Sequence, residues 1–386
     1  MVKQILVLSL CRKGGGFEYY TDNVLRHFTL PYTIYQSSYI SKESKIKGAK
    51  SIPTYRGEIS FIFNSIFLLP LLLVHFFFLS RHYSMLYLPH FHFWNLPFML
   101  LFRLLKKPVI YTEHDGVVHF GDIRFQQPLI NLCLKVATHI VFLTHHVKSL
   151  VPQNLLKHKH IAVIPHGIFD LTGLHNAPKT RKPMPTLLFF GRVSKYKGIE
   201  LLLEAIQQVP LASFEKLVIA GKSSYTYNTS HLSKGLLAKL EIIDEFLPQK
   251  RIVDLFNNAD ILLMPYLEAS QSGVAAIAIA NAMPTVCTKV GGLAEQFILN
   301  SSLATEGGGG QDEICHATQA DTSRICTPQA CAVFAEPNVA SFTNMLLSLL
   351  ADSSLYESLS HNATIRAKEL RWRNIAAQIE EFLKKS

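Results

Sequence analysis

The apolar positions of this chain fall in short blocks separated by polar stretches. Residues 4–10 form an apolar run, Gly14, Gly15 and Gly16 follow, and an amphipathic stretch begins at Tyr19. That order predicts a strand, a tight loop and a helix. Segments 83–88, 109–111, 137–143 and 161–164 have the length and apolar content of further strands. Residues 171–185 are rich in Asn, Pro, Lys and Thr and read as a linker. The alternation then restarts, with strands predicted at 187–190, 217–220, 261–264 and 285–287. Helices are predicted at 200–208, 252–257 and 274–282. Strand–helix alternation at this spacing predicts an α/β protein with parallel sheets covered by helices on both faces.

Four stretches depart from that rhythm. Residues 39–57, rich in Lys and Ser, read as a basic loop. Residues 59–79 are densely apolar, but Asn64, Ser65, Pro70 and His75 interrupt them and no matching second span follows. A buried or interfacial helix is expected there, not a membrane span. Residues 300–330, with Gly307 to Gly310 in a row, read as a surface insertion. Residues 367–385 form a charged helix whose apolar side carries Trp372, Ile375 and Phe382.

At 386 residues, 48% apolar and 17% charged, the chain holds enough material for two folded cores. Its net charge of +10 is unevenly placed. Residues 1–170 carry 18 Lys and Arg against 8 Asp and Glu, whereas residues 171–386 carry 20 of each. Such an excess suits an anionic lipid surface, a phosphorylated ligand or nucleic acid. Without zinc-finger spacing, a zipper or an arginine-rich tail, no nucleic-acid partner is expected. The six cysteines are scattered and point to buried thiols in a reducing compartment. Cys315, Cys326 and Cys331 cluster, but at intervals that match no metal pattern. The first ten residues lack a small-residue cleavage site and read as a strand, not a signal peptide.

Ligands of open α/β sheets bind beyond the carboxyl ends of strands. Four groups satisfy that condition. Gly14 to Gly16 permit close backbone approach to a phosphate or sugar, or simply make a tight turn. Arg192 and Lys197, between Gly191 and Gly198, offer two cations to a diphosphate, although paired cations are common in surface loops. Glu268, before Ser270, Gln271, Ser272 and Gly273, suits sugar hydroxyls or helix capping. His114 and His166 stand at strand ends, where lone histidines more often serve structure. The same discount applies to His90 and His92.

Together these residues resemble a known family. Phe190 to Gly198 (FGRVSKYKG) resembles the signature loop of the retaining glycosyltransferases of family 4, which have two Rossmann-like domains facing across a cleft, the GT-B fold. Gly14 to Gly16, Thr112 to Asp115, Ile164 to Gly167, Asp260 to Pro265, Ala278 to Pro284 and Gly291 to Glu295 follow in the family's order. The run from Glu268 to Val274 is similar to a bacterial subgroup acting on surface polysaccharide or lipid-linked sugars.

The resemblance implies a first, acceptor-side domain over residues 1–170 and a nucleotide-sugar domain over 171–362. A terminal helix, 363–386, would brace the first domain, although packing on its own domain gives the same pattern. Arg192 and Lys197 would hold the donor diphosphate, with Ser272, Gly273 and Val274 at a helix start against the phosphates. Gly15 and Gly16 would lie against the phosphate or sugar, and His114 near the reacting carbon. Glu268 corresponds to the first of a pair of glutamates. The second position falls on Ile277, which cannot accept a ribose hydroxyl, so nucleoside recognition is expected to shift, with Glu295 as the candidate.

The implied activity moves a sugar from a nucleoside-diphosphate sugar to a hydroxyl of a polysaccharide, lipopolysaccharide-type or lipid-linked acceptor. The nucleotide-sugar is a co-substrate; no cofactor is expected, nor a metal, since no Asp-x-Asp cluster exists. Lys42, Lys45, Lys47 and Lys50 beside residues 59–79 suit an anionic membrane surface and a cytoplasmic, peripheral location. A binding or scaffold protein that kept the fold without turnover accounts for Ile277 as well. A sugar phosphorylase or an epimerase would share the two-domain shape.

Overall fold

The computed structural model describes residues 4–11, 16–40, 42, 45–116, 126–299 and 330–385. Gly15, Cys315, Cys326 and the insertion at 300–329 lie outside them. The chain divides into two compact units, Met1–Gly167 with Trp372–Ser386, and Ile168–Arg371.

The first unit opens with β1 (Gln4–Ser9), α1 (Gly16–Arg26), β2 (Tyr32–Ser37) and β3 (Lys50–Ile52). It continues through α2 (Glu58–Ile66), α3 (Leu68–Leu79), β4 (Tyr83–Leu88) and α4 (Asn95–Leu104). After these come β5 (Val109–Glu113), α5 (Gln126–Val136) and β6 (His139–Phe142), then α6 (His145–Leu150), α7 (Gln153–Leu156) and β7 (His160–Val163). The strands form one parallel sheet in the order β3-β2-β1-β4-β5-β6-β7. Its central strands are buried on both faces, as their unbroken apolar runs require.

The second unit contains β8 (Leu187–Phe190), α8 (Ile199–Ile206), β9 (Leu217–Ala220), α9 (Lys234–Leu237) and β10 (Leu240–Ile243). It then runs α10 (Gln249–Asn258), β11 (Ile261–Met264), α11 (Gly273–Ala280), β12 (Thr285–Thr288) and α12 (Leu293–Phe297). β13 (Ala332–Ala335), α13 (Val339–Ala351) and α14 (Ser353–Glu369) complete it. Its sheet is also parallel, ordered β10-β9-β8-β11-β12-β13. In each sheet the order reverses once, between β1 and β4 in the first and between β8 and β11 in the second. Those two reversals are where an α/β sheet opens a ligand site.

The last helix, α15 (Trp372–Lys384), belongs to the first unit. Trp372, Ile375, Ala376, Ile379 and Leu383 recur at helical spacing and are all buried. Phe382 sits beside that stripe, its ring edge-on to His139 at 5.6 Å. Glu380, also buried, accepts hydrogen bonds from the Leu30 amide at 2.6 Å and the Thr29 hydroxyl at 2.8 Å, and from the Thr29 amide. The division between units at 371/372 differs from an expected break at 362/363 because α14 runs unbroken through that point. The earlier break falls at 167/168 instead of 170/171, since the Ile168 amide already bonds to the Leu370 carbonyl.

Two further expectations change. The basic stretch at 39–57 is not all loop, because Lys50–Ile52 pairs with β2 as the edge strand β3. Residues 59–79 form two helices, α2 and α3, bent by 49°. They are not a buried helix. Leu69 and Phe76 reach the core, but Ile59 is 87% and Leu71 68% exposed. No single helix among the described residues is long and apolar enough to cross a membrane.

Glu380→Ala strands two backbone amides that the carboxylate now satisfies. Denaturant unfolding followed by tryptophan fluorescence should show the first unit destabilised by about 2–4 kcal/mol. Both tryptophans, Trp94 and Trp372, lie in that unit, so the signal reports it alone.

Candidate functional site

In the second unit the loops after β8 and β11 are locked together. Gly198 has φ +68° at the start of α8, and a Cβ there would lie 1.9 Å from the Pro265 carbonyl oxygen. Only glycine allows that backbone-to-backbone approach. The Leu267 amide donates to the Tyr196 carbonyl at 2.7 Å, closing the same junction. Gly191, at φ +109°, leaves its face open for the Lys197 ammonium: a Cβ would meet Nζ at 2.8 Å and Val274 Cγ2 at 3.2 Å.

Lys197 is 8% exposed, and its Nζ donates to the Tyr266 hydroxyl at 2.9 Å while lying 4.7 Å from that ring's centroid. Tyr266 is itself fixed, since its carbonyl accepts from the Thr288 hydroxyl at the end of β12. Among the described residues this is the only hydrogen bond of an ammonium with three donors. Arg192 is exposed, and its guanidinium reaches the Tyr196 phenol. Burial pushes that phenol up, but the Lys197 charge and the Arg192 hydrogen bond outweigh it and hold the hydroxyl below the usual tyrosine value. The two cations therefore share one neighbourhood at the sheet reversal.

Ser272 is the N-cap of α11. Its backbone is clamped by the Gln296 carboxamide, which accepts from the Ser272 amide at 2.6 Å and donates to its carbonyl at 3.2 Å. Gly273 and Val274 form the first turn, Gly273 against Phe169 and Val274 against Gly191. The structure thus gathers Arg192, Lys197, Ser272, Gly273 and Val274. Glu268 is exposed one residue beyond Leu267. Glu295 sits in the first turn of α12, half-buried, next to Gln296. Ile277 is buried on α11 and offers no side-chain acceptor. Tyr266 and Gln296 were not singled out by sequence reasoning. Tyr266 directly follows a strand and a proline, which is the signal that marks it.

In the first unit the strand ends carry neutral polar groups. His114, after β5, is buried and donates from Nε2 to the Pro89 carbonyl at 2.9 Å, which leaves Nδ1 as an acceptor. Phe17, adjacent to Gly16 at the start of α1, and Tyr20 meet its ring edge-on at 4.9 and 5.0 Å. His90 lies between the Ser9 hydroxyl at 2.9 Å and the Phe91 carbonyl at 3.2 Å. His166 donates from Nδ1 to the Gly167 carbonyl, and its ring contacts Trp372 at 5.0 Å. Burial lowers all three, His90 and His166 to about 4. At neutral pH these histidines are uncharged.

The architecture of two α/β units is that of the GT-B fold. Anabaena HepE in complex with UDP has a TM-score of 0.71 with this chain at 16% identity, covering 99% of this chain and 100% of that one. The lipopolysaccharide outer core galactosyltransferase WaaB gives 0.67 at 11% identity, covering 100% and 99%. Residues 184–311 match the family described as glycosyl transferases group 1. An uncharacterised glycosyltransferase of Methanocaldococcus jannaschii is 31% identical over 110 residues, 28% of this chain and 28% of that protein. A D-inositol 3-phosphate glycosyltransferase of Xylanimonas cellulosilytica is 31% identical over 114 residues, 28% of this chain and 27% of that protein. The chain thus matches less than a third of either relative's length. It is a GT-B-fold protein whose second unit is related to the group 1 glycosyl transferases.

The histidines make a pH prediction. Their folded pKa values lie below the unfolded value near 6.5, so the unfolded chain binds more protons and stability rises with pH between the two. The first unit should be at full stability above pH 6.5 and lose it as pH falls toward 4, by up to about 3 kcal/mol for each histidine at about 4. Tryptophan-monitored unfolding at pH 7.5 and 5.0 measures this, and His90→Gln should flatten the slope. An unchanged slope would mean His90 is already charged when folded.

Proposed function

We propose that this chain is a retaining glycosyltransferase that moves a sugar from a nucleoside-diphosphate sugar to a hydroxyl of a polysaccharide or lipid-linked acceptor. One observation carries the reading: Lys197 is nearly buried at the sheet reversal with two ammonium donors uncommitted among the described residues. A cation so placed is compensated by an anion, and the complex of HepE with UDP supports a nucleoside diphosphate as that anion.

In this reading Arg192, Lys197 and the amides of Gly273 and Val274, held by Ser272, receive the donor diphosphate. As the bond from the anomeric carbon to the phosphate oxygen breaks, negative charge grows on the departing β-phosphate and these groups stabilise it. The acceptor oxygen bonds to the same carbon from the same face, and its proton passes to the leaving phosphate. No protein base is needed. His114 accepts a sugar hydroxyl at Nδ1, with Gly15 and Gly16 lining the approach. Glu268 takes sugar hydroxyls, and Glu295 holds the ribose in place of the residue that Ile277 cannot supply.

The acceptor is of lipopolysaccharide or lipid-linked type, reached from the anionic cytoplasmic face of a membrane. The basic excess of residues 1–170 and the bare apolar helices α2 and α3 support this. Ile277 keeps a second reading in view, a GT-B protein that binds nucleotide-sugars without turnover.

Thermal shifts across a panel of nucleoside diphosphates and nucleotide-sugars identify the donor, since a ligand of the folded state raises the melting temperature. With that donor, Arg192→Ala or Lys197→Ala should lower kcat/KM by roughly 10²–10³-fold. Near-normal kcat/KM in both variants removes the assignment. Donor binding with no transfer to any acceptor favours the binding protein.

A further inference from the structure

The face of the first unit built by α2 and α3 does not fit an aqueous surface. Both helices belong to the crossover from β3 to β4, and one stripe suffices to cover the sheet. Leu69 and Phe76 supply that stripe, with Phe61, Leu68, Leu72 and Leu73 partly buried beside them. The opposite stripe is equally apolar. Nine large apolar side chains between Ile59 and Phe78 are exposed, Phe78 by 64% and Ile62 by 60%. The neighbouring α4 adds Leu100 and Leu104, the latter 79% exposed. Soluble monomers rarely leave so many large apolar groups together in water.

The charges around this face are mostly positive, with the exposed Glu58 at the start of α2 the exception. From residue 51 to residue 112 Glu58 is the single carboxylate. Arg56 stands just before α2, Arg81 just after α3, and Arg103 and Lys106 at the end of α4, all four exposed. Lys42, Lys45, Lys47 and Lys50 lie on the connection from β2 through β3. A second copy of so basic a surface would repel the first, and an ordinary protein partner gives no reason for the missing carboxylates. Fixed negative charge over a hydrocarbon layer answers both features.

We propose that α2 and α3 enter an anionic bilayer as a bent interfacial wedge, so that apolar insertion, and not charge alone, holds the protein there. The inference deepens the membrane-surface reading above and rests on it for the choice of lipid as occupant. It adds the residues that enter the lipid and a salt-resistant component of binding. Ile62, Phe63, Phe67, Leu71 and Phe78 lie below the headgroups, while Arg56, Arg81 and Arg103 meet phosphates at their level. Neither helix is long enough to span by itself, and the wedge places the pair, bent by 49°, in the plane of the interface.

The test is co-sedimentation of the full chain with vesicles of phosphatidylglycerol and phosphatidylcholine at 0.05 and 0.5 M NaCl, with melting shifts by the identified nucleotide measured alongside. The intact chain should bind at low salt and keep a measurable fraction bound at high salt. Leu71→Ser with Phe78→Ser should lower the high-salt partition by about a hundredfold, roughly tenfold for each side chain. Both residues point away from the core, so the variant should retain its unfolding midpoint and its nucleotide shift. Arg81→Glu with Arg103→Glu should instead weaken only the low-salt binding. Three results overturn the wedge. They are no vesicle binding at low salt, complete release at 0.5 M NaCl, and a dimer in sedimentation analysis that the double serine variant dissolves. A nucleotide shift that persists in any of these cases leaves the transferase reading standing, and its loss alone counts against that reading and not the wedge.

Discussion

The constraint on which the second unit turns is the burial of one ammonium group. Desolvating a lysine costs several kcal/mol unless something replaces its water. Around Lys197 the replacement is Tyr266, which offers a hydroxyl oxygen and a ring face. Gly191 makes room for Nζ, and the Gly198–Pro265 approach brings the two loops close enough for lysine and tyrosine to meet. The compensation is partial by construction, because a phenol is neutral and two donors stay uncommitted among the described residues. A site finished for stability would have placed a carboxylate there. That half-answered charge is the observation behind the proposed diphosphate site.

The first unit solves a different problem with different chemistry. Its strand ends hold His90, His114 and His166, each tied to a backbone carbonyl and kept uncharged by burial. Those carbonyls fix the tautomers and take up the one N–H of each neutral ring, which leaves the other nitrogen as an acceptor.

Much of this was legible from pattern alone. Strands 83–88, 187–190, 217–220 and 261–264 coincide with β4, β8, β9 and β11, because central strands of a parallel sheet are continuous apolar runs bounded by polar turns. The strands that sequence reading passed over are of another kind. β3 is three residues with two exposed, β10 is an edge strand with Glu241 and Ile242 both exposed, and β2 is rich in Tyr, Thr and Gln. The edge strands β3 and β10 lack the apolar run that identifies a central one, whereas the edge strand β13 has such a run and was passed over as well. The site behaves similarly. Arg192 and Lys197 stand in one recognisable loop, whereas Tyr266 and Gln296 act from 69 and 24 residues away from their partners. No local signal encodes such pairings. Gln296 in particular clamps the Ser272 backbone, a role visible only once the α11 and α12 termini are side by side.

The α2–α3 segment marks where sequence reasoning meets a real ambiguity. A helix apolar all round is at home either in a protein core or in lipid, and hydrophobicity cannot separate the two, since both media exclude water. Topology separates them. A crossover helix covering one face of a sheet needs one apolar stripe, and in α3 Leu69 and Phe76 already provide it. Leu71, Val74 and Phe78 are then surplus to the fold, each a standing cost in water. Random drift would be expected to scatter carboxylates and polar residues across such a face, as it has on α1, where Asp22, Asn23 and Arg26 are not buried. Here the charged positions at the rim are cationic apart from Glu58. A face kept apolar beyond what folding asks, and bordered mostly by positive charge, is the ground for the proposed insertion into an anionic bilayer.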